Sequence, residues 1–245
     1  MDKLDLDIIF SIKIDSDDRL NNLDNVIGYL QKHLDCNITI VEQDKTPKIK
    51  NRYSCNYIFC EIDEFFNKFR GLNIGVKNTS SKVIAHYDAD VIIDPKQLIG
   101  SYKLIYNDKY EVVYPYDGMF YDVPKKYHNN IDSLSSISTE EYTLFNTKSV
   151  GGVVMFNRNT FIECGGGNEN FKGLGYDDDE IFTRFTKLKK TLARVEGPLY
   201  HLNHIRYETA YDNNPYINLN IQEFSRINAM SYEDLKTEIN NWNFI

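Results

Sequence analysis

Three apolar runs alternate with segments of helical periodicity in the N-terminal third of the chain, and this alternation narrows the fold more than any other feature. Leu6 to Ile14, Asn37 to Val41 and Lys82 to Tyr87 read as strands. Between the first two, Leu20, Leu23, Val26, Ile27, Leu30 and Leu34 return at the spacing of one helix face. After a Lys/Pro loop, Ile62, Phe65, Phe66, Phe69, Leu72 and Val76 do the same before the third strand. Strands alternating with helices predict an α/β fold with a mostly parallel central sheet covered on both faces. Ligands of such sheets sit at the carboxyl ends of the strands. Acidic clusters fall at three of those ends: Asp15 to Asp18, Glu42 to Asp44, and Asp88-Ala89-Asp90.

The middle of the chain departs from this rhythm. Pro115 to Ser149 is rich in Tyr, Asp, Asn and Ser, and predicts long loops with short strands, a length that usually serves function. Gly151 to Phe156 resumes as a strand, with a short helix from Asn159 to Glu163. A glycine-rich stretch then leads through Gly173-Leu174-Gly175-Tyr176 to Asp177-Asp178-Asp179-Glu180, which opens a helix running to Lys190. Leu192 to Val195 predicts a further strand, and the tail reads as helical from Asn220 and again after Ser231, where Ser231 and Asp234 resemble a capping box. No internal repeat or linker divides the 245 residues, so a single domain over 1–245 is expected.

Composition removes several classes of function. No apolar run approaches a membrane span, and the opening Met1-Asp2-Lys3-Leu4-Asp5 does not read as a signal peptide. With 28 Lys+Arg against 36 Asp+Glu, a net charge of −8 and no long basic tract, nucleic acid is a poor partner. Cys36, Cys55, Cys60 and Cys164 form no C-x-x-C pair, which fits free thiols in a reducing compartment. The expectation is a soluble, cytoplasmic protein.

Three clusters are candidates for chemistry. Asp is frequent enough that about two D-x-D triplets are expected by chance in a chain of this length, so Asp88/Asp90 draws its interest from placement at a strand end. Hard oxygen ligands there suit Mg²⁺ or Mn²⁺ bridged to a diphosphate. His201 and His204 follow the last strand, beside Arg206. A lone histidine is ordinarily structural, but two imidazoles added to Asp90 make a borderline donor set suited to Mn²⁺. Acids in the first turn of a helix suit its dipole, the ordinary explanation for 177–180. They also follow a Gly-x-Gly turn that permits close approach of another molecule, where one carboxylate can serve as a general base.

Taken in order, Gly151-Gly152-Val153, Phe161, Gly165-Gly166, Asn170-Phe171, Gly173-Leu174-Gly175-Tyr176-Asp177-Asp178-Asp179 and Arg184 resemble the C-terminal motif of β-1,4-galactosyltransferases and related GT-A glycosyltransferases, family 2-like bacterial enzymes included. Phe66-Asn67-Lys68 with Leu72-Asn73-Ile74-Gly75, and Asp88-Ala89-Asp90, resemble upstream motifs of the same family. The resemblance runs from Leu6 to Arg206, with its alignment open over Pro115 to Ser149. It implies a GT-A fold with a nucleotide-sugar-binding half (1–114), an acceptor and catalytic half (150–206) and a helical tail (207–245). By position it implies metal ligation by Asp90, His204 and His201. Asp88 would lie against the donor, with Asp15, Glu42, Phe66, Lys68, Arg70, Asn73, Ala89 and Gly152 completing the donor site. Asp178 matches the catalytic base and Asp177 an acid that contacts sugar hydroxyls.

The implied reaction is metal-dependent, inverting transfer of a hexose or N-acetylhexosamine, galactose or N-acetylgalactosamine foremost, from a UDP-sugar to a glycan or lipid-linked saccharide. Mn²⁺ or Mg²⁺ would be the cofactor, and peripheral contact with the inner face of a membrane is compatible with it. Closure of the 115–149 loops and of the residues after His204 over the donor is a further expectation. Leu174 stands where the family has a Trp that packs against the acceptor sugar, and Lys172 replaces another aromatic residue, which implies an acceptor other than N-acetylglucosamine. Lys68 in place of Arg loses a bidentate fork. The alternatives are a retaining transferase of the same fold and a non-catalytic sugar-nucleotide-binding protein.

Overall fold

A computed structural model describes residues 3–63, 65–204 and 214–242. In chain order, β1 (Leu6–Ile12) leads to α1 (Asp17–His33), then β2 (Asn37–Asp44), β3 (Asn56–Glu61), α2 (Lys68–Lys77), β4 (Val83–Tyr87), β5 (Val91–Ile92), α3 (Pro95–Tyr106) and β6 (Val112–Tyr114). The middle segment holds β7 (Phe120–Val123), two stretches of 3₁₀ helix over 125–136 and 139–141, and β8 (Thr143–Asn146). Then come β9 (Val153–Asn157), α4 (Arg158–Glu163), α5 (Asp177–Lys187), β10 (Leu192–Arg194), β11 (Leu199–Leu202), α6 (Ile217–Ala229) and α7 (Tyr232–Asn240).

Among the described residues the strands form two sheets. The larger has the order β10-β6-β9-β4-β1-β2-β3. Its β3-β2-β1-β4 half is parallel throughout, whereas β9 runs antiparallel to both β4 and β6. The smaller sheet has the order β5-β11-β7-β8. Every residue of β4 is buried and all but one of β1, as a central strand covered on both faces requires. One contiguous apolar core runs from Leu6 to Ile239 and includes the inner faces of α1, α2 and α5.

Local signals explain the helix starts. Ser16 caps α1 by accepting from the Arg19 amide at 3.2 Å, with Asp17 and Asp18 in the first turn. Asn67 caps α2 by accepting from the Arg70 amide at 2.9 Å. Gly71 and Gly75 let α2 lie close on β1: a Cβ would stand 2.1 Å from Ser11 Oγ at the first and 2.4 Å from Ile9 Cγ2 at the second.

Several boundaries differ from the expectation. The apolar spacing that begins at Ile62 does not start a helix there, because Asn67 claims the cap and Phe65 and Phe66 stay in the approach to it. The Lys/Pro loop ends in β3, an edge strand whose half-buried residues give no strong alternation. α3 and β6 were not expected; α3 starts at the Asp94 cap with Pro95 in its first turn. Arg206, which closes the family resemblance, and the start of the tail lie outside the described residues, as do the residues after His204 expected to close over a donor.

Candidate active site

The ends of β1 and β4, the start of α5 and the end of β11 surround one cavity of about 430 Å³. Two groups of side chains meet there, one of mixed oxygen and nitrogen donors and one of carboxylates around an ammonium.

The first group is Asp90, His201 and His204, whose ligand atoms lie within 4.8 Å of one another. β4 delivers Asp90 to its carboxyl end, and the Asp90 carbonyl accepts from the Leu202 amide at 2.7 Å, which ties this turn to β11. His204 Nε2 is 3.0 Å from Asp90 Oδ2, and His201 Nε2 is 3.8 Å from the same oxygen. Burial alone would raise the Asp90 carboxyl, but His201, His204 and Arg19 outweigh it and hold it well below the usual carboxylate range. One carboxylate and two imidazoles, with both Nε2 atoms turned to one oxygen, fit a divalent cation of borderline softness such as Mn²⁺. They also leave coordination positions for phosphate oxygens.

The second group surrounds Lys68, the first residue of α2. Its ammonium is 2.7 Å from both Asp178 oxygens and 3.0 Å from Asp177 Oδ2, and the side chain is only 6% exposed. Burial opposes a charge there, yet Asp177, Asp178 and Asp88 hold Lys68 charged well above the usual lysine range. Asp178 is pushed up to about 7 by burial, with Lys68 opposing and Asp177 and Asp88 adding to the rise. Burial likewise pushes Asp88 up to about 6, against Lys68. Gly151 gives Asp178 its room, since a Cβ at Gly151 would stand 2.7 Å from Asp178 Oδ2.

The anchor of this group lies behind it. Arg184, wholly buried, pairs with Glu180 one turn earlier on α5 at 2.7 Å. It also donates to the carbonyls of Cys164 and, at 2.8 Å, Gly166. The first turn of α5, and with it Asp177 and Asp178, is thereby fixed to the glycine-rich stretch after α4.

Of the residues expected at the donor site, Asp15, Phe66, Lys68, Asp88, Ala89 and Gly152 line the cavity, and Glu42, Arg70 and Asn73 do not. Glu42 is fully buried and accepts from the Lys48 amide at 2.8 Å, the Ile49 amide at 3.3 Å and the Tyr57 hydroxyl, so its carboxylate closes the loop after β2. Asn73 spans from α2 to the backbone of Gly167 at 2.9 Å and to Glu169 at 2.8 Å. Arg70 lies on the exposed side of α2.

Two residues in or beside the site were not anticipated. Arg19 Nε is 3.0 Å from Asp15 Oδ1, and its Nη1 is 3.8 Å from Asp90 Oδ2. Its position one helical turn after Asp15 was the available signal. Asp122 on β7 lies with Oδ1 2.7 Å from His201 Nδ1, within hydrogen-bond distance, and it belongs to a stretch with no readable periodicity. At the acceptor positions, Leu174 lines the cavity, while the Lys172 ammonium lies 4.8 Å from the Phe65 ring and 5.5 Å from that of Tyr216.

Residues 133–208 match a family model described as the N-terminal domain of galactosyltransferase. No curated protein is significantly similar to the chain in sequence. Solved structures similar to it include Drosophila β1,4-galactosyltransferase 7, as a mutant in complex with manganese, UDP-Gal and xylobiose (TM-score 0.58, 17% identity, 93% of this chain and 82% of that one). The catalytic domain of the same enzyme with xylobiose aligns over 77% of this chain (TM-score 0.50, 18% identity), and the chain spans 63% of its length, under two thirds. A mannosyltransferase from Pyrobaculum calidifontis in complex with GDP-Man and Mn²⁺ aligns over 97% of this chain and 68% of its own (TM-score 0.59, 13% identity). The chain has the GT-A glycosyltransferase fold, and its segment 133–208 carries the galactosyltransferase family match.

Proposed function

We propose that the chain transfers a hexose or N-acetylhexosamine, galactose or N-acetylgalactosamine foremost, from a UDP-sugar to a hydroxyl of a glycan or lipid-linked saccharide, with inversion at the anomeric carbon. The single observation that carries this reading is that a donor set suited to a divalent cation and a half-buried carboxylate held against the Lys68 ammonium line the same cavity. UDP-Gal with manganese in one structure of the same fold, and GDP-Man with Mn²⁺ in another, support the choice of a nucleotide-sugar donor.

In this reading Asp90, His201 and His204 hold Mn²⁺ or Mg²⁺, which when bound supplies Lewis-acid charge against the diphosphate. Asp178 accepts the proton of the attacking acceptor hydroxyl, whose oxygen forms the new bond to the anomeric carbon. The bond from that carbon to the phosphate oxygen breaks, and UDP departs with the electron pair. A base whose pKa lies near the working pH is suited to this transfer. Lys68 keeps Asp178 in place and offsets the charge that Asp177 and Asp88 add around it. Asp177 is proposed to contact sugar hydroxyls. We place the protein in the cytoplasm, with peripheral contact at the membrane when the acceptor is lipid-linked; no described helix is long and apolar enough to cross a membrane.

The test is Mn²⁺-dependent UDP release from a panel of nucleotide sugars, followed by anomeric-proton NMR of the product. Release from one UDP-sugar, lost with EDTA, is expected, with an inverted product. No turnover of any nucleotide sugar with added Mn²⁺ and saccharide acceptors would favour the binding-protein reading, and retained configuration would remove Asp178 as the base of a direct displacement.

A further inference from the structure

We infer that Asp122 is a positioning residue for the metal ligand His201: it fixes the imidazole tautomer and ring orientation so that Nε2 is presented to the cation. The inference rests on the metal reading above and adds to it a residue that no motif picks out.

The sheet itself makes the pairing. β7 runs parallel to β11 with Asp122 in register with His201. Their side chains meet at 2.7 Å between Asp122 Oδ1 and His201 Nδ1. The other carboxylate oxygen, Oδ2, accepts from the Asn203 side-chain amide, so both oxygens are held and the carboxylate cannot swing away freely. On the far side of the ring, Nε2 is the nitrogen that faces Asp90. The Phe120 ring packs against His201 with centroids 5.5 Å apart, which limits ring tilt from a second direction. An ionised carboxylate is only an acceptor, so Nδ1 must carry the proton and Nε2 must offer its lone pair. Removing the carboxylate that orients a ligating imidazole costs on the order of 10–100-fold in metal affinity. His204 has a different geometry, its Nε2 lying 3.0 Å from Asp90. Of the two histidines, the effect of Asp122 is therefore expected to pass through His201.

The experiment is direct Mn²⁺ binding to the full chain, read by electron paramagnetic resonance of the free ion, for wild type, Asp122→Asn, His201→Ala and the double variant. Asn is nearly isosteric, but its amide can donate to Nδ1 and favour the wrong tautomer. Asp122→Asn is expected to weaken Mn²⁺ on the order of 10–100-fold in the wild-type background and to have less than about a twofold effect when His201 is already Ala. Unchanged affinity in Asp122→Asn would overturn the inference. So would an equal loss in the His201→Ala background, which is what a merely structural role predicts. A wild-type chain that takes up no Mn²⁺ would instead overturn the metal reading, and this inference with it. Should Asp122→Asn fail to fold, the exposed Asn203→Ala decides: a several-fold loss of Mn²⁺ affinity supports the inference, and wild-type affinity overturns it.

Discussion

At the scale of single residues, the site is defined by what burial does to charge. Asp178 sits beside two other acids, and the Lys68 ammonium placed among them offsets that density of charge. If Asp178 is the base, transfer needs its ionised form, so kcat should fall as pH drops through a value near 7, the level to which burial raises this carboxyl. Lys68 lowers the Asp178 pKa, so Lys68→Met should move that acid limb to higher pH; a pH–kcat profile that does not shift would detach Lys68 from the base. Asp178→Asn should keep Mn²⁺-dependent UDP binding near wild type while removing at least the 10²–10⁴-fold that general-base catalysis typically supplies, compared by calorimetry and turnover. Arg19 is a different case. Its guanidinium lies beside both Asp15 and Asp90 and lines the same cavity, so in the proposed reading it would supply positive charge toward a nucleotide's diphosphate. Losing one charge-assisted hydrogen bond costs about 1.5–3 kcal/mol, so Arg19→Ala should weaken UDP by tenfold or more and leave uridine unaffected. Equal losses for the two would assign Arg19 to the nucleoside instead.

At the scale of elements, α5 matters because it carries the carboxylates and is pinned by a wholly buried pair, Glu180 with Arg184. Breaking a buried pair on one side leaves an uncompensated charge and costs about 3–5 kcal/mol, whereas replacing both partners by apolar residues is often neutral. Arg184→Met should therefore lower the urea midpoint more than Glu180→Leu/Arg184→Met does, and the reverse order would show that the pair itself stabilises the helix. The same element shows what sequence can disclose. The start of α5 was readable because acids, glycines and apolar spacing all change at Tyr176–Asp177. β1, β2 and β4 were readable because buried central strands are continuous apolar runs. β3 and β6 were not: one is a half-buried edge strand and the other only three residues long, so neither gives a period to detect. Glu42 and Asn73 show the limit for polar residues. A buried carboxylate that closes a loop and an amide that crosslinks a helix to a turn look, in sequence, like ligand contacts. Asp122 shows the converse, because its partner becomes visible only when β7 and β11 are laid side by side.

At the scale of the whole molecule, the candidate metal centre joins parts of the chain that are distant in sequence. Asp90 leaves the central parallel sheet and enters β5, whose partner β11 carries His201, and β11 in turn pairs with β7. A cation held by Asp90, His201 and His204 would thus fasten the carboxyl end of the large sheet's central strand β4 to the small sheet, and the unfolded chain has no equivalent site. Binding to the folded form alone stabilises it by RT ln(1 + [L]/Kd), about 2.7 kcal/mol at a hundredfold excess over Kd. For a chain of this size each kcal/mol moves the thermal midpoint by roughly 2–4 °C. Mn²⁺ at that excess should therefore raise the unfolding midpoint by roughly 5–10 °C, and EDTA should reverse the shift. Asp90→Ala should abolish it, because the oxygen that both imidazoles face is gone, while Asp178→Asn should retain it in full. Loss of the shift in both variants would mean that the two halves of the cavity are not separable, and a shift that survives Asp90→Ala would place the ion elsewhere on the protein.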